Sequence, residues 1–223
     1  METTQKKKVK AVVFDMDGVI FDSEKIYRKN NYIVAERYGL PMEKVEEYSN
    51  RIAGGTKDTN KLHFEEMFGT DIDFMEFRKA VHDGVDRHAM EFGFEMKPGI
   101  KEFLAYLKEK NIRIAMATST AKDRAEHHLK SHGIFEYFEE IAYGNMVERG
   151  KPNPDIYLLA CKMLGVDPTE CAAVEDSING VVSAHRAGLY TIMVVDLIQP
   201  NETAKECADF ICDCITDAKE RIE

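Results

Sequence analysis

A chain of 223 residues, 44% of them hydrophobic, holds enough apolar material for one sizeable domain with a smaller insert. Its formal charge of −10 gives no basic field to attract a polyanion, which excludes broad nucleic-acid binding; a small anion would need only local positive groups. No apolar run reaches the roughly 20 residues of a bilayer span, and the Met1 to Lys8 segment lacks the apolar stretch of a secretory signal, so no membrane association and a cytoplasmic location are expected.

In chain order, the basic run Lys6, Lys7, Lys8 and Lys10 is expected to be a solvated tail. Val9 to Phe14 is short, apolar and β-rich and stops at Asp15-Met16-Asp17-Gly18, a buried strand running into a polar turn. Ile112 to Ala117 ends likewise at Thr118-Ser119-Thr120, Cys171 to Val174 at Glu175-Asp176-Ser177, and Tyr190 to Val195 at Asp196. Helical patterns separate these strands: Ile100 to Lys110, Lys122 to His132, Asp155 to Leu164 and Ile178 to Ala187, the last three closed by Gly133, Gly165 and Gly188. Asn153-Pro154 reads as an N-cap with proline at the first helical position. Alternating strands and helices predict an open α/β fold, a parallel sheet with helices on both faces and ligands at the carboxyl ends of its strands.

Residues 22–91 break the alternation, since Ser23 to Tyr38, Lys57 to Phe68 and Asp73 to Phe92 are helical with no strand between them. Phe74, Phe77, Val81 and Val85 make a core stripe at helical spacing. This predicts a core domain of residues 1–21 and 92–223, with an all-helical insert, 22–91, placed to act as a lid.

Cys161, Cys171, Cys207, Cys212 and Cys214 are odd in number and form no C-x-x-C pair, which argues against a disulfide framework or a zinc site and for reduced thiols. Adjacent His127 and His128 would point roughly 100° apart on a helix, which suits surface positions and not a metal pair.

A parallel sheet would gather Asp15 with Asp17, Thr118 with Ser119, Lys151, and Glu175 with Asp176 at one edge. Each cluster alone reads as a turn or a cap; together they assemble carboxylate pairs, hydroxyls and an ammonium, which suits phosphoryl transfer, where alignment and charge neutralisation dominate. Clustered carboxylates would repel a phosphate unless a hard divalent ion lay among them, and Mg²⁺ favours oxygen ligands. Asp15 and Asp17, two apart, project to one side of an extended chain, where one could attack and the other move protons.

With Phe14-Asp15-Met16-Asp17-Gly18-Val19-Ile20-Phe21-Asp22-Ser23-Glu24, Ala117-Thr118-Ser119, Lys151-Pro152-Asn153-Pro154-Asp155-Ile156-Tyr157 and Val174-Glu175-Asp176-Ser177 in order, the chain resembles the haloacid-dehalogenase superfamily of phosphohydrolases. The resemblance is to its β-phosphoglucomutase-like branch and covers nearly the whole chain. It implies a Rossmann-like core with a helical cap that opens and closes. It implies Asp15 as nucleophile and Asp17 as general acid and base. Mg²⁺ would be held by the Asp15 carboxylate, the Asp17 backbone carbonyl and the Asp176 carboxylate, with Glu175 in the outer sphere. Thr118, Ser119 and Lys151 would grip the phosphoryl group.

The activity this implies is hydrolysis of a small phosphorylated metabolite through a phospho-aspartate, with sugar phosphates as the leading class. The alternatives are a sugar-phosphate mutase and a non-catalytic sensor of phosphorylated metabolites. Asp17 argues against a dehalogenase. Tyr27 stands where the mutases carry a cap histidine, and Lys57 where they carry an arginine for a second phosphate. The loop from Arg51 to Lys57 is either a specificity loop, with Arg51 and Lys57 as substrate contacts, or a helix connection capped by Thr56. Asp22 and Ser23 are expected to cap the first insert helix, and the chain to be a monomer.

Overall fold

The computed structural model describes residues 6–52 and 57–223. The chain divides into two compact units, Met1–Phe21 with Met96–Glu223, and Asp22–Glu95. The second break falls after Glu95 rather than residue 91 because the Asp22 N–H donates to the Glu95 carbonyl at 2.8 Å, drawing Glu95 to the start of the insert. The first unit begins with strand β1 (Ala11–Phe14), buried along its whole length. Ahead of it, the lysine run is not a solvated tail. Lys7 pairs in parallel with Ile222, its N–H donating to Arg221 O at 2.7 Å and its carbonyl accepting from Glu223 N at 3.0 Å, while the lysine ammonium groups stay near the surface.

The smaller unit is helical: α1 (Glu24–Arg37), α2 (Met42–Ile52), α3 (Lys57–Phe68) and α4 (Phe74–Phe92). Helix α2 has no clear signal in the sequence, because its apolar residues Val45 and Tyr48 are diluted by five charged neighbours in an eleven-residue helix. Val34, Ala35, Val45, Tyr48, Phe64, Phe74, Phe77 and Val81 form its core, with the Tyr48 ring meeting Phe64 edge-on at 5.5 Å. The phenylalanine stripe of α4 is therefore core, as its period predicts. Asp73 caps α4, its carboxylate accepting from the N–H groups of Met75 and Glu76. Helices α1 and α4 cross closely at Gly84, where a Cβ would lie 2.2 Å from Asn30 Oδ1. Ser23 occupies the N-cap position of α1 but makes no side-chain cap bond, while Asp22 pairs with Lys25 in its first turn.

The larger unit continues through α5 (Ile100–Glu109), β2 (Arg113–Thr118), α6 (Lys122–Ser131), β3 (Glu140–Tyr143), α7 (Asp155–Leu164), β4 (Cys171–Glu175), α8 (Ile178–Ala187), β5 (Tyr190–Val194), α9 (Glu202–Cys207), β6 (Phe210–Cys212) and α10 (Ile215–Glu220). All six strands are parallel, in the order β3-β2-β1-β4-β5-β6. The expected four-strand sheet gains β3 and β6, of four and three residues, too short to show a period of their own. One face packs α7 and α8 against Ala11, Val13, Ala115, Ala117, Ala142 and Ala173, small residues that let the helices sit close. On β1, Phe14 packs its ring edge-on against Phe103 of α5 at 5.3 Å. The predicted Asn153 cap of α7 is not made, since Pro154 holds the N-cap position and Asn153 Nδ2 turns back to Gly150 O. His128 is buried rather than on the surface, its ring edge-on to Phe21 at 6.0 Å.

Strand order reverses direction at β1, with β2 and β3 on one side and β4 to β6 on the other. In an open parallel sheet that switch point leaves a crevice beyond the carboxyl ends of the central strands. The polar sequence clusters fall there.

Candidate active site

Register sets which side chains meet. Phe14 pairs with Met116 of β2 and Val174 of β4, and the Asp15 N–H extends the ladder by donating to Val174 O at 3.0 Å. Asp15 and Glu175 therefore emerge from neighbouring strands at the same level, beside buried Thr118 at the end of β2.

Lys151 reaches this level from the loop before α7 and donates to Asp15 Oδ1 and Glu175 Oε1, both at 2.5 Å. All three side chains are no more than 10% exposed. Glu175 takes further bonds on both oxygens: Tyr157 OH donates to Oε1 at 2.9 Å, and the Asp176 N–H, Ser177 N–H and Ser177 hydroxyl donate to Oε2 at 3.1, 3.2 and 3.1 Å. Ser177 is also the N-cap of α8, accepting from Gly180 N at 3.0 Å, so one hydroxyl both starts the helix and fixes the carboxylate. Tyr157 and Lys151 come from one short segment, and the ammonium lies 5.2 Å from the tyrosine ring centroid.

Asp17 sits in the turn after β1, which closes with the Gly18 N–H on Phe21 O at 2.9 Å. Its Oδ2 accepts from Thr120 Oγ1 at 2.7 Å, and the Thr120 N–H donates to Thr118 Oγ1 at 3.0 Å. Gly18 has φ +78°, and a Cβ there would fall 2.0 Å from Asp176 Oδ2. The Asp176 carboxylate is seated against bare backbone.

Burial pushes the Asp15 carboxyl up to about 8, against the pull of Lys151 and with help from the Glu175 and Asp17 charges. Burial also opposes the Lys151 ammonium, but Asp15 and Glu175 outweigh it and hold the lysine above its ordinary range, so it stays charged. Burial and Glu175 likewise raise the Tyr157 phenol, which stays a donor. Asp15, Glu175 and Asp176 each offer an oxygen within 4.8 Å of the others, a buried acidic group of a kind that can hold a metal. Lys151 bonds two of these carboxylates, Asp15 and Glu175, and the three acidic side chains stand close enough to share an ion. A hard divalent cation suits such a set of oxygens.

The structure thus brings Asp15, Asp17, Thr118, Lys151, Glu175 and Asp176 to one end of the sheet, with Ser119 exposed just beyond β2. Arg51 and Lys57 belong to the other unit. Arg51 pairs with Glu47 at 2.8 Å and Glu66 at 3.5 Å, and Lys57 is an exposed first residue of α3. The intervening loop, including the expected Thr56 cap, lies outside the described residues. Tyr27 packs beside the insert core and edge-on to His82 at 5.4 Å. Tyr157, Ser177 and Thr120 received no roles from the sequence. Tyr157 reads as one more apolar residue of a helix, Ser177 as an ordinary cap, and a bond from residue 120 to residue 17 has no sequence signal.

The family model described as haloacid dehalogenase-like hydrolase matches residues 9–188. A phosphorylated carbohydrates phosphatase of Thermotoga maritima is 36% identical over 184 residues, covering 82% of this chain and 84% of that protein. The β-phosphoglucomutase of Bacillus subtilis is 31% identical over 193 residues, covering 83% of each. The structure of CbbY from Rhodobacter sphaeroides in complex with xylulose-(1,5)bisphosphate superposes with a TM-score of 0.73 at 27% identity, covering 92% of this chain and 94% of that one. With the family's matched span taking in every core residue of the site, the chain belongs to the haloacid dehalogenase-like hydrolases, in their β-phosphoglucomutase-like branch, and is an enzyme of the phosphoric monoester hydrolase class.

Proposed function

We propose that the chain hydrolyses small phosphate monoesters, sugar phosphates foremost, through a phosphorylated Asp15. The observation that carries this reading is Lys151 bonded at once to Asp15 and Glu175 in a buried cluster, which holds a nucleophilic carboxylate in place beside a permanent positive charge. Relatives named as phosphatases, one of them for phosphorylated carbohydrates, support the substrate class.

The Asp15 carboxylate attacks phosphorus, a new P–O bond forms, and the ester P–O bond breaks as Asp17 gives its proton to the leaving oxygen. Water then attacks the acyl phosphate, Asp17 takes the water's proton, and the bond between phosphorus and Asp15 breaks to restore the carboxylate. Lys151 and the Thr118 hydroxyl offset charge on the phosphoryl oxygens throughout, and Ser119 adds a hydroxyl at the same strand end.

Mg²⁺, held by the Asp15 and Asp176 carboxylates and the Asp17 backbone carbonyl, would neutralise charge on the phosphoryl group when bound. Glu175 already accepts five hydrogen bonds on its two oxygens, so a direct metal bond would displace a donor, and the outer sphere suits it.

The test is phosphate release from a panel of monoesters with Mg²⁺ or chelator, comparing wild type with Asp15→Asn and including β-glucose 1-phosphate with its bisphosphate. Metal-dependent release lost in the variant is expected. Conversion to glucose 6-phosphate without release would make the chain a mutase instead.

A further inference from the structure

Thr120 lies on the loop leaving β2, two residues past Thr118, and makes two bonds that converge on the site. Its hydroxyl donates to Asp17 Oδ2 at 2.7 Å, and its backbone N–H donates to Thr118 Oγ1 at 3.0 Å. A threonine hydroxyl has one proton, and here it is committed to a carboxylate oxygen. Held through that oxygen, the Asp17 carboxyl keeps one orientation beside the end of β2. The backbone bond to Thr118 Oγ1 occupies a lone pair of that hydroxyl and leaves its proton to donate elsewhere.

We propose that Thr120 is a positioning residue for proton transfer, fixing the Asp17 carboxyl through Oδ2 in the orientation from which it delivers a proton to the leaving group. The inference rests on the reading of Asp17 as general acid. In the step concerned, the bond from Asp15 to phosphorus forms, the ester P–O bond breaks, and one proton passes from the Asp17 carboxyl to the departing oxygen. A hydroxyl that merely shaped the loop would affect all substrates alike. One that aims the acid matters in proportion to how much the leaving oxygen needs a proton.

The experiment measures kcat/KM, which reports the phosphorylation step, for an alkyl ester, glucose 6-phosphate, and an aryl ester, p-nitrophenyl phosphate, whose leaving group needs little protonation. Correct alignment is part of the ~10²–10⁴-fold contribution of a general acid, so Thr120→Val should cost the alkyl ester about 10- to 100-fold and the aryl ester a much smaller factor. Thr120→Ser, which keeps the hydroxyl, should restore most of the alkyl rate. Asp17→Asn is run beside them and should show the same discrimination more strongly. If Asp17→Asn discriminates but Thr120→Val slows both esters equally, or speeds the alkyl ester, the Thr120 assignment is wrong. If Asp17→Asn itself fails to discriminate, the acid reading of Asp17 falls and takes the inference with it. Thermal midpoints identify a folding defect, in which case Thr120→Ala replaces the valine variant in the same comparison.

Discussion

The Asp176 carboxylate lies where a side chain on residue 18 would have to be, with Oδ2 only 2.0 Å from the position of a Gly18 Cβ. The backbone there also has φ +78°, which non-glycine residues adopt at a cost of about 1 kcal/mol. Gly18→Ala should therefore lose stability by at least that much in chemical denaturation and push Asp176 from its place. The Mg²⁺ concentration for half-maximal activity should rise severalfold. A variant with wild-type metal dependence would mean that Asp176 can move without consequence, contrary to its proposed role as ligand.

Tyr157 donates to Glu175 inside the protein, and Tyr157→Phe removes that donor while keeping the ring. A hydrogen bond to a buried charged group is worth about 1.5–3 kcal/mol, and the four other donors on Glu175 place the expected loss at the low end. Urea denaturation should read that loss directly. Equal stability of variant and wild type would show that the remaining donors satisfy Glu175 completely.

In the helical unit, Gly84→Ala should drive the Asn30 side chain from its bond to Ile26 O, since the new Cβ would lie 2.2 Å from Asn30 Oδ1. The amide tip can rotate, so the expected cost is about 1 kcal/mol, that of one hydrogen bond, rather than the several of a backbone clash. Hydrogen exchange should report it as faster opening within α1 and α4. Unchanged protection in both helices would show that the pair adjusts without loss.

These variants also mark what the sequence could and could not reveal. Strands β1, β2, β4 and β5 were legible because strands buried on both faces are written as apolar runs that end in polar residues. Helix α2 and strands β3 and β6 were not, since a short element carries little pattern and is held by its neighbours. The gathering of the core candidate residues at one end of the sheet was legible because each ends a strand or follows a motif. The bonds from Thr120 to Asp17 and from Tyr157 to Glu175 join residues 103 and 18 positions apart, and only the parallel register brings them together. The thiols of Cys161 and Cys171 illustrate the same limit: both are buried in one core cluster, one on α7 and one on β4, and their spacing in the chain says nothing of that.

Burial, the largest influence on Asp15, raises its carboxyl from an ordinary 3.8 to about 8 in the folded protein without metal. Between those values the folded state holds a proton that the unfolded chain has released, so stability is fully present below about 4 and is lost as pH rises through about 8. Asp15→Asn cannot titrate there and lacks this pH-dependent contribution. Urea denaturation in chelator from pH 5 to pH 8.5 should therefore show wild type losing stability relative to Asp15→Asn as pH rises. Adding Mg²⁺, which replaces the proton as the neutralising charge, should flatten the wild-type profile and leave the variant's nearly as it was. Parallel profiles for the two proteins in chelator would show that Lys151 already compensates Asp15 in full, and that the buried carboxylate is ionised across the whole range.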